Sequence, residues 1–406
     1  MHVVHVSAYF APAFGYGGPP RSILGLCKHL QQAGVDVEVL TTTANGSHDL
    51  PASSHAADSY EGIRVRYLPR AFPRRFFAAA GLTSALREAF GSADLVHLHG
   101  LWNVPVWTAA REARRYGVPY VVSPRGMLES WALAQRAWRK RIAWRAFELR
   151  NLESAALLHA TSAGERETLR RLFPSASIAM IPNGVEPPVD AAVDASECRR
   201  KAGIPDRAPI VLYLGRIHRV KRLDLLAQAF HVLHRRRPET HLVIAGPDEN
   251  GNRSELQRHF APLGQAVHWT GALDQREKWS WLAAANVLTM CSDSESFGLS
   301  VVEAMMAGLP VVATRTCPWQ ELESLGCGLW VEQEPLAIAN AIDRIVSDPV
   351  GARQMGERGR IAAASRYCWG PIARAMEQQY QAVLARDGCT PAQVGIGPHP
   401  PCLDGE

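Results

Sequence analysis

Residues 291–314, CSDSESFGLSVVEAMMAGLPVVAT, leave an apolar strand through a polar loop, make a tight Phe297-Gly298-Leu299 turn and enter a helix. That helix stops at Gly308-Leu309-Pro310, ahead of another apolar run. Strand, helix and strand in this order form a βαβ crossover. Outward from it, the apolar runs 210–214, 241–245, 266–269, 287–290 and 310–314 alternate with helical stretches at 222–236, 253–261, 274–285, 299–307 and 335–347. Strands that are apolar almost throughout, separated by helices, predict a parallel sheet covered on both faces.

The same alternation fills the first half of the chain. Val3-Val4-His5-Val6 is followed by a Gly/Pro loop at 11–20, an amphipathic stretch 21–33 stopped by Gly34, and a strand at 35–41. Further strands are expected at 63–68, 94–98, 119–122, 156–160 and 177–181, and helices at 82–90, 104–115, 131–150 and 163–172. The polar stretch 43–59 reads as a loop. The expected class is α/β, with two doubly wound Rossmann-like domains spanning 1–187 and 188–370. A helix follows at 371–386, and 387–406 has the composition of a disordered tail. Open α/β sheets bind ligands at the carboxyl ends of their strands, so function is expected in a cleft faced by two such ends.

Composition narrows the class. Hydrophobic residues at 47% and charged residues at 20% exclude a globally disordered or coiled-coil chain. Eight cysteines without a C-x-x-C pair indicate neither a zinc site nor a disulfide framework, which fits a reducing, cytoplasmic setting. No run approaches the roughly 18 apolar residues of a membrane span, and no basic leader precedes the first strand. Residues 1–187 carry 21 Lys/Arg against 14 Asp/Glu, and residues 188–406 carry 23 against 25, so the excess of positive charge lies in the first half. Two basic, aromatic stretches there, 64–77 and 131–150, suit an anionic membrane surface or a lipid-diphosphate acceptor, reached from the cytoplasmic side as a peripheral protein. No nucleic-acid motif is present.

The chemistry-bearing residues gather at strand ends. Gly298 before its helix lets free amides and the helix dipole meet an anion such as a diphosphate. Glu303, in the first turns of that helix, is placed to accept hydrogen bonds from a ribose diol, and Glu295 to address the group beyond the distal phosphate. Strand 210–214 ends in Gly215-Arg216, with Lys221 close behind, and two cations there would neutralise a departing diphosphate without a metal. In the first half, Gly17-Gly18 allow close ligand approach, and Arg21 opens a helix. His97 and His99 share one face at the end of strand 94–98, with His99 nearer the loop, and Arg125 in Ser123-Pro124-Arg125-Gly126 is an acceptor-side anion contact.

These residues resemble a family. Glu295 and Glu303 in E-x7-E around F-G-L, with Gly17-Gly18, His97-x-His99-Gly100, Ser162 to Leu172, Pro182-Asn183-Gly184, Gly215-Arg216 with Lys221, Gly246-Pro247 and Thr270-Gly271, are similar to the retaining nucleotide-sugar glycosyltransferases of family four, of the two-domain GT-B fold. The segments His99 to Trp102 and Ser123 to Leu133 resemble a bacterial polysaccharide-assembly branch. The resemblance implies catalytic roles for His99, Glu295, Arg216 and Lys221, and donor binding by Gly17, Gly18, Phe297, Gly298, Leu299 and Glu303. It implies a C-terminal helix crossing back onto the first domain. The substrates implied are a nucleotide diphosphate sugar and a lipid-linked glycan acceptor, with no metal and no other cofactor. A sugar-nucleotide epimerase or hydrolase on the same frame, and a non-catalytic nucleotide-sugar-binding protein, are the alternatives.

Overall fold

The computed structural model describes residues 1–46, 48–52, 58–135, 137–187, 193–248 and 251–386. They form two compact units, Met1–Gly184 together with the helix Trp369–Arg386, and Val185–Cys368. The divisions fall at 184/185 and 368/369, where the sequence suggested 187/188 and 370/371. The expected tail 387–406 lies outside the described residues.

Among the described residues the first unit holds an eight-stranded sheet. Its spatial order is Ile178–Met180, Leu157–Ala160, Tyr120–Ser123, Leu95–His99, His2–Ser7, Asp36–Thr42, Ile63–Leu68 and Asp58–Tyr60. All pairs are parallel except the last. The strand order reverses between His2–Ser7 and Leu95–His99, where Ser7 pairs with His99. Such a reversal opens a crevice at the strand ends. The second unit's sheet runs Val267–Gly271, His241–Ala245, Ile210–Leu214, Val287–Met290, Val311–Thr314 and Gly328–Val331, all parallel. It reverses between Ile210–Leu214 and Val287–Met290.

Four expectations need correction. The stretch 43–59 is not simply a loop: Ala44–Asn45 pairs with His48–Asp49, and Asp58–Tyr60 returns antiparallel to Ile63–Leu68 through Glu61 and Gly62, both at positive φ. Such a two-residue turn suits a hairpin. The single helix expected at 131–150 is instead Ser130–Ala134, Ala137–Ala143, a wide π turn Trp144–Glu148 and Leu149–Glu153. Extended backbone at Gln135 ends the first piece, and the π turn buries both Trp144 and Glu148. The first helix starts at Gly18 and holds Arg21 inside its first turn. Finally, the helices Ala195–Ala202 and Pro349–Arg366 and the strand Gly328–Val331 were not anticipated. The buried positions of Pro349–Arg366 are Gly356, Gly359, Ala362 and Ala363, so it carries no apolar stripe to read. A Cβ on Gly356 would lie 1.9 Å from the Gly308 carbonyl oxygen, so close packing rather than bulk seats this helix.

The helix Trp369–Arg386 completes the core of the first unit. It buries Trp369, Ile372, Ala373, Met376, Tyr380 and Val383 beside Ile23, Cys27 and Val39. The Trp369 indole fills a slot between Gly25 and Gly184, where added Cβ atoms would lie 2.4 and 2.3 Å from it. Trp369→Ala should therefore cost about 3–5 kcal/mol, read as a lowered urea midpoint of the first unit, and Gly25→Ala should also destabilise by overpacking.

Candidate active site

In the second unit the two loops at the sheet reversal are tied together. After Ile210–Leu214, Gly215 approaches Gly246 so closely that a Cβ on Gly246 would lie 1.9 Å from the Gly215 carbonyl oxygen. The chain then turns through Arg219–Lys221 to Arg222 at φ 51. The Asp293 N–H donates to the Val220 carbonyl at 2.8 Å, and Arg222 donates to the Asp293 carboxylate at 2.9 Å. Gln333 donates to the same carboxylate at 3.0 Å. Asp293 is thus a structural clamp between the loops.

This clamp brings the expected residues together. Lys221 forms an ion pair with Glu295, which also accepts from the Ser292 hydroxyl at 2.7 Å. The side chains of Lys221 and Glu295 are only 16% and 10% exposed. The neighbouring turn is anchored from beneath: Trp319 Nε1 donates to the Phe297 carbonyl at 2.6 Å, and the Phe297 ring packs against Trp319 and Tyr367. Gly298 takes φ 84, and a Cβ there would meet Trp319 at 2.9 Å and Met290 at 3.1 Å, so glycine is required. Gly298 is the N-cap of helix Leu299–Met306, and no side chain caps it. An uncapped helix start presents amides and a partial positive charge to an anion.

Glu303 lies in this helix, 9% exposed, and accepts from Lys278 Nζ at 2.6 Å. Lys278 was missed. It sits in the buried Lys278-Trp279-Ser280-Trp281 run of helix Gln275–Ala284, its ammonium 5.2 Å from the centre of the Trp279 ring. The one sign of it in sequence is a lysine placed among residues that must face inward. Arg216 follows the strand end and is half-buried, its carbonyl accepting from the Tyr213 hydroxyl at 2.7 Å. A half-buried pair, Lys221 with Glu295, therefore precedes this helix, and a buried pair, Lys278 with Glu303, lies on it. Removing one partner of the buried Lys278–Glu303 pair strands a charge, a cost of about 3–5 kcal/mol.

The first unit gathers a second polar cluster at its own reversal. His99 is 2% exposed, Arg125 Nη2 donates to its Nδ1 at 3.2 Å, and its Nε2 therefore donates to His5 Nδ1 at 2.9 Å. Arg125 also donates to the Ser22 hydroxyl at 2.8 Å and reaches Asn183 at 3.5 Å. Behind them runs a proton-ordered chain. His159 Nε2 donates to the Ile181 carbonyl at 2.8 Å, so its Nδ1 accepts from Ser123 at 2.6 Å. Ser123 then accepts from His97 Nε2, and His97 Nδ1 accepts from the Tyr380 hydroxyl, both at 2.6 Å. One carbonyl thus fixes every tautomer along the chain.

His97 and His99 share a face, as strand alternation requires, but both are buried. As placed, both ring nitrogens of His99 are hydrogen-bonded within the protein, Nδ1 to Arg125 and Nε2 to His5. His5, His97 and His99 bring ring nitrogens within 4.8 Å of one another. Hydrogen bonds occupy those of His97 and His99, and the adjacent Arg125 cation opposes a metal. Gly17 takes φ 88 between a short turn and the helix that begins at Gly18. The Arg21 guanidinium lies 4.3 Å over the Phe14 ring. Arg64, Arg66, Arg70 and Arg74 of the basic stretch 64–77 are paired with Asp36, Glu88 and Asp49.

Comparison with known proteins agrees with this architecture. Residues 194–362 match the glycosyl transferases group 1 family, and residues 17–184 match the glycosyl transferase 4-like domain. The chain is 30% identical to the D-inositol 3-phosphate glycosyltransferase of Streptomyces griseus subsp. griseus, covering 95% of this chain and 89% of that one. It is 29% identical to D-inositol 3-phosphate glycosyltransferase 2 of Catenulispora acidiphila, covering 93% of each. Among solved structures, sucrose-phosphate synthase from Thermosynechococcus elongatus superposes with a TM-score of 0.73 at 25% identity, covering 95% of this chain and 99% of that one. Anabaena HepE, solved in complex with UDP-glucose, superposes with a TM-score of 0.73 at 18% identity, covering 94% of this chain and all of the other, which shows the fold alone.

Burial pushes His5 down to about 3 and His159 to about 4, with the Arg125 charge adding to both, and burial also lowers His97 and His99. These folded-state values lie below the unfolded value near 6.5, so stability is full above that pH and is lost as pH falls from 6.5 toward 4. Burial raises Glu148 to about 7 although its Oε1 accepts from Trp102 N–H and Trp107 Nε1, both at 2.5 Å. Glu148 therefore works in the opposite direction, favouring the fold as pH falls from 7. Urea midpoints should drop between pH 7.5 and pH 5. Glu148→Gln should raise the midpoint at pH 8 and steepen that drop.

Proposed function

The chain belongs to the glycosyl transferases group 1 family, and from that membership we propose that its second unit binds a nucleotide diphosphate sugar at the start of helix Leu299–Met306 and transfers the sugar with retention at the anomeric carbon. That the chain is a glycosyltransferase acting on a nucleotide sugar is supported by its family and relatives. The observation that carries the site is two lysine–carboxylate contacts, Lys221 with Glu295 ahead of an uncapped helix start and Lys278 with Glu303 on the helix itself. In the free protein each pair is self-neutralised. In the proposed complex the diphosphate takes Lys221 and Arg216 together with the amides at Gly298 and Leu299, which releases Glu295 toward hydroxyls of the donor sugar. Glu303, held by Lys278, accepts from the ribose diol. The cations supply the charge that a metal would otherwise provide for the leaving group, so no divalent ion is part of the proposal. Leaving-group departure and acceptor attack occur on one face of the sugar, without a side-chain nucleophile.

The two relatives are named as D-inositol 3-phosphate glycosyltransferases, which makes a phosphorylated polyol one acceptor to test beside a lipid-linked glycan. In the first unit, Gly17 and Gly18 are proposed to meet the donor, and Arg21 and Arg125 the acceptor side, with His99 backing Arg125. A peripheral, anionic membrane surface is proposed as a partner of residues 131–150. There Trp138 is 64% and Ile142 62% exposed beside Arg139, Arg141 and Arg145, and among the described residues no helix is long and apolar enough to cross a membrane. Sedimentation with phosphatidylglycerol vesicles should carry the protein down, phosphatidylcholine vesicles should not, and Trp138→Ala with Ile142→Ala should abolish the difference.

The catalytic reading is tested by thermal shift against a panel of nucleotide sugars, followed by transfer to D-inositol 3-phosphate and to lipid extracts. A ligand at 100 times its dissociation constant adds about 2.7 kcal/mol. Lys221→Ala should lower turnover of bound donor, and Glu303→Ala should mainly weaken donor binding. Chelator should leave activity intact. Donor consumed equally without acceptor would instead indicate hydrolysis or epimerisation, and tight binding without turnover a binding protein.

A further inference from the structure

Glu165 is a buried carboxylate that the scheme above does not use. It is 2% exposed, in the first turn of helix Ala163–Leu172, whose N-cap is Ser162. A glutamate three residues after a serine cap commonly folds back onto the cap residue's own amide. Glu165 spans two segments instead. Its Oε2 accepts from the N–H and hydroxyl of Thr161 at 2.7 and 2.8 Å, and its Oε1 accepts from the Gly126 N–H at 2.6 Å.

Gly126 is the hinge of the loop that presents Arg125. Arg125 and Gly126 are consecutive left-handed residues, at φ 56 and 77. An arginine in that conformation is strained and persists only where its surroundings hold it. The Glu165 bond holds the peptide that follows Arg125, so the guanidinium is directed onto Ser22, Asn183 and His99 Nδ1. The Glu165 charge also favours the cationic form of Arg125, against the burial that lowers it to about 10. Arg125 Nε is buried with no hydrogen-bond partner.

We infer that Glu165 is a positioning residue for sugar transfer, one that acts through the Gly126 amide to hold Arg125 against His99. The inference rests on the reading that Arg125 serves the reacting sugars.

The test separates the two. In the full chain labelled with [15N]histidine, His99 carries its proton on Nε2 and accepts at Nδ1, a signal assigned by its disappearance in His99→Asn. In folded Glu165→Gln that signature is expected to be lost or averaged between tautomers. Turnover of the sugar nucleotide selected by thermal shift should fall about 10- to 100-fold, the usual cost of removing a supporting group. Its KM should change far less, and the double variant with Arg125→Met should be no slower than Arg125→Met alone. An unchanged His99 signature overturns the inference while Arg125→Met still reports on the transfer reading. A changed signature with turnover intact overturns both roles, since the cluster then takes no part in transfer. Should Glu165→Gln fail to fold, Glu165→Asp, too short to span both segments, is judged by the same outcomes.

Discussion

Two lysine–carboxylate pairs set beside one uncapped helix start constrain everything else in the second unit. Burying such charges is costly unless they are paired, and pairing two of them beside a strand-order reversal requires both adjoining loops to be held fast. The Asp293 clamp, the Trp319 hydrogen bond to the Phe297 carbonyl and the close approach of Gly246 to Gly215 all do that work. A site so arranged is charged and preorganised before any ligand arrives, which is what the proposed stabilisation of a departing diphosphate demands. The free state is held neutral by internal partners that the ligand is proposed to exchange.

The first unit solves a related problem differently. Its polar cluster contains four buried histidines and an arginine, none relying on a carboxylate in direct contact for its place. Order comes from hydrogen-bond direction, which the Ile181 carbonyl sets in one chain of groups and the Arg125 guanidinium in the other. Tyr380 joins the last helix to this chain through His97, so the helix that closes the core also reaches the polar interior. The same hydrogen bonds that fix tautomers make the cluster sensitive to acid.

Much of this was legible in the sequence. Alternating apolar strands and helices gave both parallel sheets, and strand ends marked the loops where Lys221 and Glu295 meet ahead of Gly298. What escaped did so for physical reasons. Pro349–Arg366 packs through glycine and alanine, so its buried face has no hydrophobic periodicity. Lys278 lies far from Glu303 in sequence and is brought to it by packing of two helices. The π turn at Trp144–Glu148 looks like ordinary amphipathic helix until its hydrogen bonds are seen. The basic stretch 64–77 shows arginines but not the carboxylates from other strands and a helix that neutralise most of them. His99 was placed nearer the loop, but its burial could not be read, because strand alternation fixes a face and not a depth.

The most direct measurement is a crystal structure of the full chain with the nucleoside diphosphate that binds it most tightly. The expected result has the ribose diol on Glu303, the phosphates at the Gly298 and Leu299 amides, and Lys221 withdrawn from Glu295 toward the phosphate. A diphosphate bound elsewhere while the Lys221–Glu295 and Lys278–Glu303 pairs stay intact would contradict the exchange of partners on which the proposed chemistry depends.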